Sequence, residues 1–264
     1  VTTLKTSNNI MKKMLKKFLR NLNIDIVRLD KSQHTELNFP EDIDEEAREI
    51  IIRVKNYTMT SVERLIALIN ATRYISRNQI EGDFVECGVW RGGSMMAVAY
   101  SLEKLAERDR DLYLFDTFEG MPPPTNQDVT YSNIEALTLL NESRKDDSKS
   151  IWCYSSLDEV KTNIESTKYN PQKIHLIKGK VEETIPNCIP EKIALLRLDT
   201  DWYESTRHEL EYLFPRLVSG GVLIIDDYGH WKGCQKATDE YIEKNNIPIL
   251  LNRIDYTGRI AIKL

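Results

Sequence analysis

At 264 residues, 41% of them hydrophobic and 29% charged, the chain is long enough for one α/β domain with decorations and is unlike a disordered or membrane-spanning protein. No apolar run approaches the length that spans a bilayer. A net charge of -5 argues against a protein that grips phosphate backbones, so nucleic acid is not an expected partner.

The first segment is the one basic stretch. Lys12, Lys13, Lys16, Lys17 and Arg20 interleave with Met11, Met14, Leu15, Phe18, Leu19 and Leu22 at helical spacing. Such a helix docks on the domain or a partner subunit, or lies weakly on an anionic membrane surface, and docking is the better expectation. Its lysines are mixed through the apolar positions, unlike those of a signal peptide. Residues 41–55 suit a second helix, acidic at its start and basic at its end. A third follows, capped by Thr60 or Ser61, and the junction residues Tyr57, Thr58, Met59 and Thr60 are candidate pocket-lining positions. Residues 1–56 are expected to form a helical extension and 57–264 the main domain.

From Asp83 the pattern becomes strand, glycine-rich turn, helix. The spacing Gly88, Gly92, Gly93, with Trp90 and Arg91 between, is not GxGxxG. A pyrophosphate needs close backbone approach along the whole turn, whereas a cofactor made of an amino acid and a nucleoside does not. The second strand, Leu112 to Phe115, ends at Asp116 beside Thr117, where a carboxylate is placed to accept both hydroxyls of a ribose. Pro122, Pro123 and Pro124 then stiffen the entry to a lid-like insertion at about 117–150.

A helix over 155–165 precedes a strand over 173–178, after which Val181 and Glu182 are placed to meet an adenine edge and face. The fourth strand, Ile193 to Leu198, leads to Asp199 and Asp201. A helix over 203–217 and a turn at Gly220-Gly221 lead to the fifth strand, Val222 to Ile225, which ends at Asp226 and Asp227. Two apolar runs ending in acidic pairs read as neighbouring buried parallel strands whose carboxyl ends share one ligand edge. Carboxylates so close repel, and a hard divalent cation relieves that; helix capping is the plainer alternative. After a helix near Gly233, two apolar runs around Tyr256-Thr257-Gly258 read as a hairpin, which makes one strand antiparallel. Cys87, Cys153, Cys188 and Cys234 form no CxxC pair and read as packing thiols of a reducing, cytoplasmic compartment.

The motifs VECGVWRGGS, LFDTFEGMP, LLRLDTDWYEST and LIIDDYGHW, in that order, resemble the macrocin O-methyltransferase family, over roughly 57–236. The first forty residues lie outside the resemblance. It implies a Rossmann-like class I methyltransferase fold, a seven-stranded mostly parallel sheet with its last strand antiparallel, and the cofactors S-adenosylmethionine and Mg²⁺. By the same resemblance Glu86 and Gly88 lie against the methionine part of the cofactor, Ser94 near its carboxylate, and Asp116 on the ribose. Asp199, Asp226 and Asp227 match the metal carboxylates, Asp201 the general base, and a homodimer is implied. His230 and Lys232 share the loop after the fifth strand, with substrate contact as their only suggested role.

The expected activity is methyl transfer to a hydroxyl of a sugar or glycosylated acceptor. Alternatives are a phenol or catechol acceptor, a metal-dependent hydrolase, a nicotinamide oxidoreductase and a non-catalytic binding protein. The oxidoreductase lacks GxGxxG and leaves Asp226 and Asp227 without a role; the hydrolase leaves Asp116 and the glycine turn idle.

Overall fold

The computed structural model describes residues 39–147 and 150–264; the basic amphipathic segment lies outside the described residues. Helix α1, Glu45–Val54, begins after Asp44, whose Oδ1 accepts the Ala47 N–H at 2.8 Å, so it starts later than the acidic pattern suggested. Helix α2, Val62–Arg77, is capped by Ser61, which accepts the Arg64 N–H at 3.1 Å. Both face the domain with aliphatic residues, among them Ile50, Ile51, Leu65, Leu68 and Ile69, all buried.

The alternating units follow: β1 Asp83–Cys87, α3 Gly93–Lys104 and β2 Leu112–Asp116, then α4 Ala136–Glu142, α5 Leu157–Glu165, β3 Ile174–Lys178 and the single turn α6 Val181–Thr184. Next come β4 Ile193–Leu198, α7 Tyr203–Leu213, β5 Leu217–Ile225, α8 Lys232–Lys244, and the hairpin β6 Asn252–Arg253 and β7 Arg259–Ile262. They form one seven-stranded sheet in the order β3-β2-β1-β4-β5-β7-β6, parallel from β3 to β5 with β7 antiparallel to β5. All six residues of β4 are buried, as a central parallel strand covered on both faces requires. Val85, Phe115, Leu196 and Leu223 pack with Leu210, Leu213 and Trp231 on one face; the alternate residues Phe84, Leu114, Leu195 and Ile224 point to the other.

Two boundaries differ from the sequence expectation. Helix α7 stops at Leu213 rather than 217, because Phe214-Pro215-Arg216 forms a 3₁₀ turn and Pro215 has no N–H to continue the ladder. Strand β5 starts at Leu217, five residues early, and carries the Gly220-Gly221 pair inside it. The register against β4 slips there, since Ile193 pairs with Leu217 and Leu195 with Val222. The glycines mark a bulge within a strand and not a turn before one. In the hairpin only Asn252 and Arg253 of the first run pair.

The strand order reverses between β1 and β4, which opens a crevice at their carboxyl ends. There Gly88 has φ +83°, and a Cβ on it would come within 2.0 Å of the Asp199 carbonyl oxygen, so only glycine lets β1 leave the sheet so close to β4.

Residues 117–147 include α4 and are pinned by the fully buried Asp128. Its Oδ1 accepts the Tyr203 N–H at 2.7 Å and its Oδ2 the Thr125 N–H at 2.7 Å. Backbone Ala136 N–H donates to Asp128 O, closing 129–135 into a tongue that meets Trp231 through a bridge at Thr130. Of the four cysteines, all free, Cys87 and Cys234 are buried packing thiols, but Cys188 is exposed and Cys153 half-buried.

Candidate active site

The crevice is a cavity of about 580 Å³. Asp116 at the end of β2, Asp199 at β4 and Asp226 at β5 open onto it, and β1 stands between the first and the other two. Three strand spacings separate β2 from β5, about 14 Å. Ser94, Thr117, Val181, Glu182 and Gly88 line the part around Asp116, and Met59 lies on the wall with Thr58 and Thr60. Tyr57 is outside the lining, but its carbonyl accepts the Gly93 N–H at 2.9 Å. A Cβ at Gly93 would sit 2.5 Å from that oxygen, so the glycine pair admits the 57–60 segment against the start of α3.

Asp116 holds the glycine-rich turn to its own loop. Its Oδ2 accepts from Val89 N at 2.7 Å and Trp90 N at 3.0 Å, and its Oδ1 from Phe118 N at 2.7 Å. Burial raises its pKa against the pull of those N–H groups. Two N–H groups fill Oδ2, so Oδ1, which has one short N–H donor and the Thr117 hydroxyl at 3.4 Å, is the oxygen with room for an incoming hydroxyl.

At the other end one oxygen from each of Asp199, Asp226 and Asp227 lies within 4.8 Å of the others. Asp227 Oδ2 is buried with no hydrogen-bond partner. Burial and the neighbouring carboxylates push Asp199 and Asp227 well above the usual carboxylate range, and burial lifts Asp201 to about 7. An all-oxygen, acidic donor set with an orphaned buried oxygen fits a hard divalent cation such as Mg²⁺. Asp201 stands beside the three with φ +69°, on a loop steadied by Thr200, whose hydroxyl donates to the buried Glu209 at 2.9 Å.

One expected cofactor residue is elsewhere. Glu86 is 1% exposed and does not line the cavity. It lies directly opposite Arg197 in the β1–β4 register and receives its Nη1 at 2.7 Å. Two arginines were missed by the sequence reading. Arg197, 2% exposed, also donates to Asp199 at 2.7 Å, Asp226 at 2.5 Å and Thr60 at 3.0 Å. Arg64 reaches Asp226 from α2. The visible signal was a lone charge inside the apolar run LLRLD, since a buried charge needs partners. Trp231, Tyr256 and Cys153 line the cavity too and were also missed. Burial, then the charges of Asp201 and Asp199, push the Cys153 thiol well above its ordinary value, so it is no nucleophile. Of the two loop residues suggested for substrate contact, His230 lines the cavity, held below its usual pKa by burial and then by Arg64, and Lys232 does not line it.

The fold matches that of the O-methyltransferase NovP with a TM-score of 0.67 at 28% identity, over 81% of this chain and 88% of that one. With its seven strands and reversed last pair, this is the fold of the class I methyltransferases. Among curated proteins the chain is 30% identical over 225 residues to demethyldecarbamoylnovobiocin O-methyltransferase of Streptomyces niveus, covering 85% of this chain and 82% of that protein. It is 31% identical over 202 residues to 8-demethyl-8-(2,3-dimethoxy-alpha-L-rhamnosyl)-tetracenomycin-C 4'-O-methyltransferase of Streptomyces olivaceus, covering 76% and 74%. The family model described as Macrocin-O-methyltransferase (TylF) matches residues 3–261, and the chain belongs to that family. The match begins far ahead of residue 57, so the resemblance is wider than its four motifs suggested, and all but two of the first forty residues fall within it.

Proposed function

We propose that this chain transfers the methyl group of S-adenosylmethionine to a hydroxyl of a sugar, free or carried on a natural product or glycan, with Mg²⁺ held by Asp199, Asp226 and Asp227. The observation that carries this reading is one cavity with a hydroxyl-accepting carboxylate, Asp116, under one part and the Asp199-Asp226-Asp227 set with Asp201 under the other. The relative named for the 4'-oxygen of a rhamnosyl-tetracenomycin supports a sugar acceptor.

In this reading Asp116 accepts the ribose hydroxyls, Ser94 meets the amino-acid end, and Val181 and Glu182 meet the base. When bound, the cofactor supplies an electrophilic methyl on a sulfonium. When bound, the cation lowers the pKa of an acceptor hydroxyl and fixes its direction. Asp201 takes the hydroxyl proton as the carbon–sulfur bond breaks and the carbon–oxygen bond forms; a carboxylate lifted to about 7 is matched to that task. Trp231 and Met59 exclude water from the wall. We read 117–150 as the cover of the cavity, because Gly120, Met121, Pro122 and Leu139 line it. The family resemblance supports a homodimer, which sedimentation tests.

The test is calorimetry of S-adenosylmethionine and then Mg²⁺ on EDTA-treated protein, followed by labelled methyl transfer to a panel of glycosides. Wild type binds both ligands, and Asp227→Asn loses the Mg²⁺ heat. Asp201→Asn keeps S-adenosylmethionine affinity and loses about 10²- to 10⁴-fold in kcat. Folded protein that takes up no S-adenosylmethionine would sink the reading.

A further inference from the structure

Arg64 stands in the first turn of α2 with its side chain 12% exposed on the cavity wall. Its Nη1 donates to Asp226 Oδ2, and its Nε lies 3.0 Å from Asp255 Oδ2. The other Asp226 oxygen receives Arg197 at 2.5 Å. Both oxygens of Asp226 therefore face a guanidinium, while Asp227 Oδ2 beside them has no donor.

The two arginines are not equivalent. Arg197 is fixed in the sheet by Glu86, Asp199 and Thr60 as well. Arg64 has a second anion to receive it: Asp255, in the β6–β7 loop, is itself held by the Ser61 hydroxyl at 2.8 Å and by the N–H groups of Thr257 and Gly258. Gly258 leaves the path open, since a Cβ there would lie 2.9 Å from Arg64 Cδ.

We propose that Arg64 is a positioning residue that occupies the cation's place on Asp226 and withdraws onto Asp255 as the cation enters. This rests on the cation reading of the Asp199-Asp226-Asp227 set. Arg64 keeps three crowded carboxylates from repelling one another before loading, and it weakens cation binding because the metal must displace a charge already satisfied. The segment before the same helix supplies Thr58, Met59 and Thr60 to the lining of the same cavity.

The experiment is titration of Mn²⁺ into EDTA-treated, dialysed protein, reading free ion by electron paramagnetic resonance. Arg64→Met lowers the Mn²⁺ Kd by about tenfold or more, because a cation within a few ångströms of the site is removed. Asp255→Asn raises the Kd, since Arg64 then has only Asp226, and this effect shrinks in the Arg64→Met background. An architectural role alone moves Arg64→Met the other way, toward weaker binding. An Arg64→Met Kd equal to or higher than wild type overturns the proposal. Should that variant fail to fold, Asp255→Asn alone decides, and an unchanged or lower Kd overturns it. If wild type that is folded and binds S-adenosylmethionine takes up no Mn²⁺ at all, the cation reading fails and the proposal with it.

Discussion

Arg197 is the residue on which the most charge converges. It is a cation in the middle of the sheet, flanked by Glu86 on β1, Asp199 beyond its own strand and Asp226 beyond β5. Burial lifts Glu86 to about 7 even with that guanidinium 2.7 Å away. Removing the arginine leaves the buried Glu86 without its cation and takes a partner from Asp199, while Asp226 keeps Arg64, so Arg197→Met should lower the unfolding free energy by about 3–5 kcal/mol in a urea titration. Adding Glu86→Leu should recover part of the loss, since one uncompensated carboxylate goes with it. An undiminished loss in the double variant would assign Arg197 to packing instead. The sequence shows the arginine among leucines but not its partner. The Glu86–Arg197 contact exists only once β1 lies beside β4 in this register, and the two residues are 111 positions apart.

At the scale of the element, the N-terminal helices are fastened by polar residues at their starts. Asp44 caps α1 and also receives Arg73 of α2, at 2.5 and 2.9 Å, so one carboxylate joins the two helices. The Arg73 hydrogen bonds, and then the Ala47 N–H, lower its pKa from 3.8 to about 2. A depressed carboxylate stabilises the fold above its ordinary pKa and loses that contribution as pH falls through the folded value. Asp44→Ala should cost about 0.5–2 kcal/mol at neutral pH, as for other N-caps. The gap between variant and wild type should close as pH falls from about 4 to about 2, followed by denaturant melts; a gap that persists below pH 2 would show that charge is not its source. Elements of this kind were legible because their signals are local. Ser61 and its first-turn Glu63 mark a helix start, and the run Ile193–Leu198, apolar but for Arg197, marks a buried strand. The early start of β5 was not, because Gly220-Gly221 is written the same way whether it closes a turn or bulges a strand. Only the β4 register distinguishes the two.

Across the whole molecule the acidic residues at the strand ends were the readable part of the site, since a parallel sheet delivers them to one edge whatever the helices do. The arginines that oppose them come from tertiary approach and were not readable. In the proposed reading a divalent cation binds the native protein alone, so Mg²⁺ at a hundred times its Kd should raise the melting temperature by about 5–10 °C over EDTA-treated protein. Asp227→Asn should remove that rise, and because it relieves like-charge crowding it should melt no lower than wild type without metal. A rise of equal size in the variant would place the ion elsewhere. The tongue at 129–135 has a different kind of consequence. It closes on itself through the Asp128–Ala136 hydrogen bond, exposes Tyr131 and Ile134 at its tip, and meets the cavity-lining Trp231 at Thr130. In the proposed reading, descent can therefore rewrite its tip in small steps, shifting one tryptophan and with it the fit of an acceptor, while the carboxylates at the strand ends are inherited unaltered.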